Sequence, residues 1–379
     1  MHLTRRNVIA MLAAGSAAPL TGCLSARRGG GSIPGLSRED YGRMTVIDAK
    51  CFLRESNPRT SLPQGLSDSL VTAARASGLT MISATMGGSG LMEETARAIA
   101  DMDARIASQP DTFMRVLTAS ELHAAKQSRR IGISYDVQGT AEIGADAAGV
   151  ARLRDLGVRT VQLTYNLRTA AGDGCLVPDD GGLTDFGRQV IGEINRLGLL
   201  LDLSHAGQRT AADAVAATTA APAITHAGCF EVTRHPRHVP DSTLRLLADK
   251  GGVFGIYLMP YLRPLGQADR EDVLRHIEHA IDVCGEDHVG IGTDGGIPPL
   301  DLTPDYRDYW RTEVYEPRVQ SGVVAPNEGA DIFNYVPEYN SVDRYHRIGD
   351  DLVRRGHSTA RVEKILGANF ARLYGQVWA

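Results

Sequence analysis

From Thr45 onward the sequence alternates short β-rich runs with helical stretches, and this alternation limits the fold more than any other feature. It is typical of a parallel sheet whose strands are joined by crossover helices. Eight strand candidates are present, which is the number that closes a (β/α)8 barrel. They are Thr45–Lys50, Leu79–Thr85, Arg130–Val137, Arg159–Tyr165, Leu199–His205, Ala223–Ala227, Gly252–Leu258 and His288–Asp294.

Most of these runs are apolar almost throughout, which fits strands that are covered on both faces. A doubly wound sheet is the competing architecture, but no GxGxxG follows the first strand. We therefore predict an α/β chain with a TIM-like barrel. The predicted helices are Glu93–Ile106, Asp185–Leu197, Gln208–Ala217, Ser242–Asp249 and Arg270–Cys284, with Asp343–Arg355 and Ser358–Tyr374 closing the fold.

The segment from Pro298 to about Ser341 carries prolines, tyrosines and acidic residues without clear periodicity. We expect it to be a long loop or subdomain over the barrel mouth.

The N-terminus is typical of an exported protein. Arg5 and Arg6 precede an apolar run that is too short to span a bilayer, so residues 1–22 are interpreted as a twin-arginine-like export signal. Leu20-Thr21-Gly22-Cys23 resembles a bacterial lipobox, which predicts lipidation at Cys23; the alternative is an ordinary signal with a chance cysteine. Residues 23–44 would then be a tether, and 45–379 a periplasmic or membrane-anchored domain.

Composition excludes some partners. The formal net charge of -5 over 379 residues, with no basic run outside the N-terminus, gives no reason to expect nucleic-acid binding. The cysteines other than Cys23 show no CxxC or zinc-finger spacing, so they indicate neither a metal site nor a particular disulfide pairing.

Polar residues stand at the ends of three strand candidates. His205 ends the fifth, His226 ends the sixth and Asp294 ends the eighth. The carboxyl ends of barrel strands build the active sites of such folds, and imidazole with carboxylate is a zinc-ligand set. A single strand-end histidine is more often structural, but two at successive strands with a later aspartate favour a metal site.

Longer motifs resemble the membrane dipeptidases, peptidase family M19. The resemblance runs from about Thr45 to Tyr374. It is carried by Gly181–Gly187 continuing into Leu201–His205, by Thr225-His226, His235-Pro236-Arg237 and Pro240-Asp241, by His288–Asp294, and by Gly367–Arg372.

This resemblance implies a metal-dependent hydrolase barrel that cleaves dipeptides at a binuclear zinc centre. His205 and His226 would bind one zinc, and Asp294 would bind the other or act as a base. Arg237 would bind the substrate carboxylate, with a surface ion pair as the alternative. Tyr165 falls where the family has a substrate-binding histidine, and it can still donate a hydrogen bond. The family often forms dimers, so the resemblance also suggests a homodimer.

Three ligand positions of the family are changed. Lys50 and Phe52 replace its His-x-Asp, and Gln138 replaces its bridging glutamate. Cys51 should face away from this side of the strand, whereas Asp136, on the same face as Gln138, is a further candidate carboxylate. Gly295-Gly296 also replaces a usual acidic residue, so we expect that loop to differ.

These changes leave one or two zinc ions open and favour one over two. We hypothesise that the Lys50 ammonium fills the space of the missing cation and pairs with Asp294; the alternative is that Lys50 extends to solvent.

Three functions remain open. The first is zinc-dependent hydrolysis of dipeptides or small amides, with Asp294 as base and Arg237 and Tyr165 orienting the substrate. The second is an inactive barrel that binds a peptide or small ligand at the membrane surface. In the third, Lys50 is a nucleophile or base of another reaction.

Overall fold

The computed structural model describes residues 34–61, 65–87 and 90–378. The predicted export signal and the predicted lipidation site Cys23 lie outside these residues. Of the predicted tether, residues 34–44 are described, and they are packed: Leu36 and Tyr41 are buried. The Tyr41 hydroxyl donates to the Ser77 carbonyl at 2.7 Å. The packed body therefore includes this end of the segment.

Eight parallel strands form the main path of the sheet, and each predicted strand corresponds to one of them. Their order in the sheet is their order along the chain. They are β1 Ile47–Phe52, β2 Met81–Thr85, β3 Ile131–Val137, β4 Val158–Gln162, β5 Leu200–Asp202, β6 Ala223–Cys229, β7 Val253–Ile256 and β8 Val289–Ile291. Two further short strands, Phe113–Arg115 and His238–Val239, pair in parallel with the third and the sixth of these strands.

The sheet closes on itself just beyond β8. Gly295 and Gly296 pair in parallel with Cys51 and Phe52 of β1. The Asp294 amide also donates to the Lys50 carbonyl at 2.8 Å. The glycine pair, expected only to give a different loop, thus continues the eighth strand and joins it to the first, so the chain is an α/β barrel.

Fourteen α-helices occur in the described residues. They are α1 Arg38–Arg43, α2 Asp68–Ser77, α3 Met92–Ala107, α4 Ala119–Ser128, α5 Gly149–Asp155, α6 Asp185–Arg196, α7 Gln208–Ala217, α8 Asp241–Asp249, α9 Arg270–Cys284, α10 Pro304–Tyr309, α11 Glu316–Gln320, α12 Arg344–Arg354, α13 Thr359–Glu363 and α14 Asn369–Val377. No described helix has the length and apolar character needed to cross a membrane.

Two hydrophobic clusters fill the barrel body. The larger one lies mainly between the strands and the surrounding helices. The smaller joins residues at the starts of strands, including Ile47, Met81 and Leu200, to Phe370 and Tyr374 of α14. Helix α14 therefore covers the amino-terminal end of the barrel, and the carboxyl ends of the strands remain for a site.

The segment 298–341 is more regular than expected. It contains α10 and α11, which are joined by the π-helical turn Trp310–Tyr315. A small apolar cluster of its own holds it together, centred on Tyr306, Trp310 and Phe333. We call residues 298–341 the lid, because its side chains line the cavity at the barrel mouth.

Candidate active site

One cavity of about 250 Å³ lies at the carboxyl ends of the strands. It brings together most of the residues singled out from the sequence. These are Phe52, Gln138, Tyr165, His205, Arg237 and Asp294. His226 is fully buried directly beside His205, and Lys50 is buried behind the cavity wall.

The two histidines form the centre of this site. Their Nε2 atoms are 3.0 Å apart. His205 follows β5 with a φ of 64°, in the left-handed region that a non-glycine residue rarely occupies. Such strain persists only where surrounding contacts hold it, and it often marks functional positions. Here it turns the His205 ring towards His226.

Hydrogen bonds fix which nitrogen of His205 carries its proton. Its Nδ1 lies 2.6 Å from Oδ1 of Asn166. The amide of Asn166 is itself oriented, because its Nδ2 donates to the Val323 carbonyl at 2.8 Å. The oxygen facing His205 can only accept, so the proton of the neutral imidazole lies on Nδ1 and Nε2 has a free lone pair.

The same reasoning applies to His226. The Thr225 hydroxyl donates its single proton to Asp202 at 2.6 Å. The contact of 2.8 Å between Thr225 Oγ1 and His226 Nδ1 must then have the imidazole as donor. Ser204 supports this arrangement by donating to Asp202 at 2.7 Å and accepting from the His226 amide at 3.1 Å. His226 Nε2 therefore also has a free lone pair.

Two lone pairs that face each other at this distance repel unless a cation lies between them. Zinc binds neutral imidazole nitrogen at about 2.0–2.1 Å, so the pair fits one metal ion. Burial lowers the pKa of both imidazoles well below the ordinary value, and the positive charge of Arg237 acts in the same direction. Both rings are thus kept neutral, as metal binding requires.

Lys50 does not pair with Asp294, so that part of the hypothesis was wrong. Its ammonium lies 2.5 Å from Asp136 of β3. It does not extend to solvent either, since Lys50 is 1% exposed and Asp136 is 3% exposed. The reason is geometric: the Lys50 side chain reaches into the barrel interior, where a buried carboxylate needs a counter-charge, whereas Asp294 faces the cavity.

The Asp136 carboxylate has other donors as well. Ser83 donates to it at 3.0 Å and Thr85 at 3.1 Å. With Lys50, these two hydroxyls satisfy both carboxylate oxygens. Asp136 is therefore already neutralised and hydrogen-bonded within the protein.

The remaining replaced positions do not supply a second metal site. Phe52 presents an apolar ring to the cavity, and Gln138 presents an uncharged amide. Cys51 is packed in the core and lines no part of the cavity. An ammonium, a phenyl ring and an amide cannot replace the charged ligands of a divalent ion. The residues on this side do not fit the second metal of a binuclear centre.

Asp294 lines the cavity with its backbone held in the left-handed region, at a φ of 56°. Burial raises the pKa of its carboxyl to about 6, although Lys50 and Arg237 oppose the shift. In the described ranges, one group of three possible metal-binding side chains has all its ligand atoms within 4.8 Å of one another, and it includes neither Asp294 nor the two histidines. The Asp294 oxygens therefore do not lie within 4.8 Å of both histidine nitrogens. Asp294 therefore stands apart from the histidine pair.

That other group consists of Glu231, Asp241 and His279, at the protein surface. His279 lies 2.7 Å from Asp241, which accounts for the short distances between these side chains.

Arg237 is buried beside the histidines rather than paired at the surface. It is 4% exposed, and its guanidinium donates to the His226 carbonyl at 3.2 Å. Within residues 34–61, 65–87 and 90–378 it forms no ion pair with a carboxylate. Its remaining N–H groups are thus available to an anion in the cavity.

The lid contributes residues that the sequence did not reveal. Arg318 forms a salt bridge with Glu328 at 2.8 Å and donates to the Tyr165 hydroxyl at 3.1 Å. The Tyr165 ring stacks on His205 with centroids 4.3 Å apart. The lid is thereby connected to the histidine pair through Tyr165. Only the lack of periodicity in the lid distinguished it in the sequence, and that gave no signal for Arg318.

Comparisons with known proteins agree with this architecture. A family model described as membrane dipeptidase, peptidase family M19, matches residues 69–307. Dipeptidase verJ of Clonostachys rogersoniana is 30% identical over 263 residues, which is 69% of this chain and 59% of that protein. The chain spans 44% of the length of a curated dipeptidase from Schizosaccharomyces pombe and 59% of the length of verJ, so it covers only about half of these relatives.

Solved structures share the fold. An amidohydrolase from Pseudomonas aeruginosa is 25% identical with a TM-score of 0.75, covering 90% of this chain and 98% of that one. A metallo peptidase from Rhodobacter sphaeroides, liganded with a phosphinate mimic of the dipeptide L-Ala-D-Ala, is 21% identical with a TM-score of 0.69, covering 88% and 99%.

Proposed function

Since this chain belongs to the membrane dipeptidase family, peptidase family M19, we propose that it hydrolyses dipeptides or similar small amides with one bound zinc ion. The observation that carries the proposal is the histidine pair, whose two free Nε2 lone pairs face each other at 3.0 Å. His205 and His226 would hold the ion. When bound, zinc would polarise the scissile carbonyl and acidify a water molecule.

Asn166 and Thr225 act as positioning residues for these ligands. Each accepts a hydrogen bond from Nδ1 of one histidine, which leaves the Nε2 lone pair of that histidine for the ion. Mutation of such outer-shell partners typically lowers metal affinity 10- to 100-fold.

Asp294 is suited to proton transfer. Because burial raises the pKa of its carboxyl to about 6, it is mostly ionised at neutral pH and yet basic enough to accept a proton. It would serve as the general base at the cavity wall.

Arg237 and Tyr165 would bind and orient the substrate. A planar guanidinium forms two parallel hydrogen bonds with a carboxylate, so Arg237 would take the terminal carboxylate of a dipeptide. The Tyr165 hydroxyl accepts from Arg318, which leaves its own proton free to donate to a substrate oxygen.

On the opposite side, the Lys50 ammonium takes the place of the second metal ion. It supplies one fixed positive charge and is held by Asp136, to which the Ser83 and Thr85 hydroxyls also donate. With one divalent ion fewer, the uncharged Gln138 needs no bridging carboxylate.

Turnover of L-Ala-D-Ala and L-Ala-L-Ala, with zinc and after chelation, tests the proposal. We expect hydrolysis that zinc restores and that His226→Ala abolishes, while His279→Ala at the surface cluster keeps it. Absence of turnover in the zinc-loaded protein would contradict hydrolysis and favour the ligand-binding alternative. Equal rates for the protein and His226→Ala would contradict the role of the histidine pair.

A further inference from the structure

The cavity contains more positive charge than its carboxylates neutralise. Two of its arginines are satisfied within the protein: Arg318 by Glu328, and Arg344 by the backbone carbonyls of residues 296–298. The other two, Arg54 and Arg237, form no ion pair with any described carboxylate. Two guanidinium groups thus line one cavity with hydrogen-bond donors to spare.

Arg54 is held by an aromatic ring instead of an acid. Its guanidinium carbon lies 4.3 Å from the centroid of Phe52. Stacking on a ring stabilises the position of a guanidinium by cation–π attraction and leaves its edge N–H groups open. A side chain oriented in this way loses less freedom when it binds an anion than an unsupported surface arginine would.

Phe52 itself occupies a replaced ligand position, where a carboxylate would bind a cation. In this chain the position supports a cation instead. This wall of the cavity therefore carries the positive charge of Arg54.

Both guanidinium groups line the same cavity, which has a volume of about 250 Å³. A ligand that fills this cavity can therefore meet both of them.

We propose that this cavity selects dipeptides with an acidic side chain, that is, substrates with two carboxylates. Arg237 binds the terminal carboxylate and Arg54, on Phe52, binds the side-chain carboxylate. The inference rests on the proposed function for the role of Arg237 and names the substrate class of the same site. Arg54 is a specificity-determining residue, since a neutral side chain gains nothing from it.

Binding of uncleavable dipeptides tests this inference independently of turnover. The probes are ketomethylene isosteres of Ala-Glu and Glu-Ala and of their neutral counterparts Ala-Gln and Gln-Ala, titrated calorimetrically into the zinc-loaded protein. We expect at least one acidic isostere to bind about tenfold more tightly than its amide counterpart. Arg54→Gln should abolish this difference.

The matched control is Arg234→Gln. Arg234 is also exposed, lies over an aromatic ring with 5.8 Å to the Phe230 centroid, and has no described carboxylate partner, but it lies outside the cavity. Its variant should keep the preference for the acidic isostere. Equal affinities in the wild type, a preference retained in Arg54→Gln, or no binding of any isostere would overturn the proposal. A clear preference without turnover of Ala-Glu or Ala-Ala would leave it standing and contradict only the hydrolysis.

Discussion

The two sides of the barrel mouth treat positive charge in opposite ways. On the side of β5 and β6, His205 and His226 present two free nitrogen lone pairs, and Asn166 and Thr225 hold them in place. On the side of β1 and β3, Lys50 supplies its own cation and Asp136 neutralises it. We propose that one side binds a metal ion and that the other carries a side-chain cation in place of one.

On this proposal, a metal site is lost without leaving uncompensated charge. A buried carboxylate without a counter-charge is costly, so loss of a nearby metal ion requires another partner. Lys50, Ser83 and Thr85 together meet that requirement for Asp136. The histidine pair needs no such compensation, because neutral imidazoles tolerate burial.

The largest effect should come from breaking the pair on the β1 side. Lys50→Met leaves the Asp136 carboxylate buried without its counter-charge, and we expect the free energy of unfolding to fall by about 3–5 kcal/mol. Urea denaturation measures this. Adding Asp136→Asn to Lys50→Met should recover much of the loss, whereas Lys364→Met, which removes a surface ion pair, should cost about 1 kcal/mol or less. A similar small loss for Lys50→Met would show that the pair does not carry the charge balance.

Breaking the other side should act on metal binding instead. His226→Ala removes one of two imidazole ligands, and we expect zinc affinity to fall about 100-fold or more, since even outer-shell changes cost 10- to 100-fold. Competition with a fluorescent chelator measures the affinity. His279→Ala serves as control and should leave the zinc affinity unchanged. If His279→Ala lowered the zinc affinity and His226→Ala did not, the metal would lie at the surface cluster with Glu231 and Asp241.

A smaller effect is expected from Thr225→Val. The substitution removes the acceptor of the His226 Nδ1 proton and keeps the shape of the side chain, so zinc affinity should fall about 10- to 100-fold. The same chelator competition applies. Thr85→Val, which removes a donor to Asp136 on the opposite side, should leave zinc affinity nearly unchanged. Equal losses in both variants would remove the distinction between the two sides.

The most gradual effect concerns acid. Burial keeps the pKa of His205 and His226 well below the ordinary value. Below about pH 6.5 the unfolded chain binds protons that these folded imidazoles do not. The free energy of unfolding should therefore fall as pH is lowered, by about 1.4 kcal/mol per pH unit for each imidazole.

Urea denaturation of the metal-free protein at pH values from 7 down to 5 measures that slope. A variant with His205→Asn and His226→Asn should show a shallower slope. Identical slopes for the two proteins would mean that these histidines are protonated in the folded state.

The sequence predicted the barrel and the location of the candidate site residues at its mouth, for physical reasons. Parallel strands place their carboxyl ends at one edge, so His205, His226 and Asp294 were expected at one mouth from strand order alone. The eight strands appear in the predicted order, although β5 is shorter than Leu199–His205: it ends at Asp202, before the turn in which His205 has its left-handed φ.

Other features depend on side-chain reach and were not predictable from spacing. Lys50 could extend towards Asp294, Asp136 or solvent, and only the packed barrel interior decides for Asp136. Asn166 and Arg318 act through contacts with distant segments, which leave no periodic signal. The helices of the lid were missed because its apolar residues form a small separate cluster rather than a regular stripe.

The metal content of the purified, zinc-supplied protein decides between one bound metal ion and two. We predict about one equivalent of zinc by mass spectrometry, and more in a variant with Lys50→His, Phe52→Asp and Gln138→Glu, which restores the replaced ligands. Two equivalents in the wild-type protein, none at all, or no gain in the triple variant would contradict the account of one metal-binding side and one side that supplies its own cation.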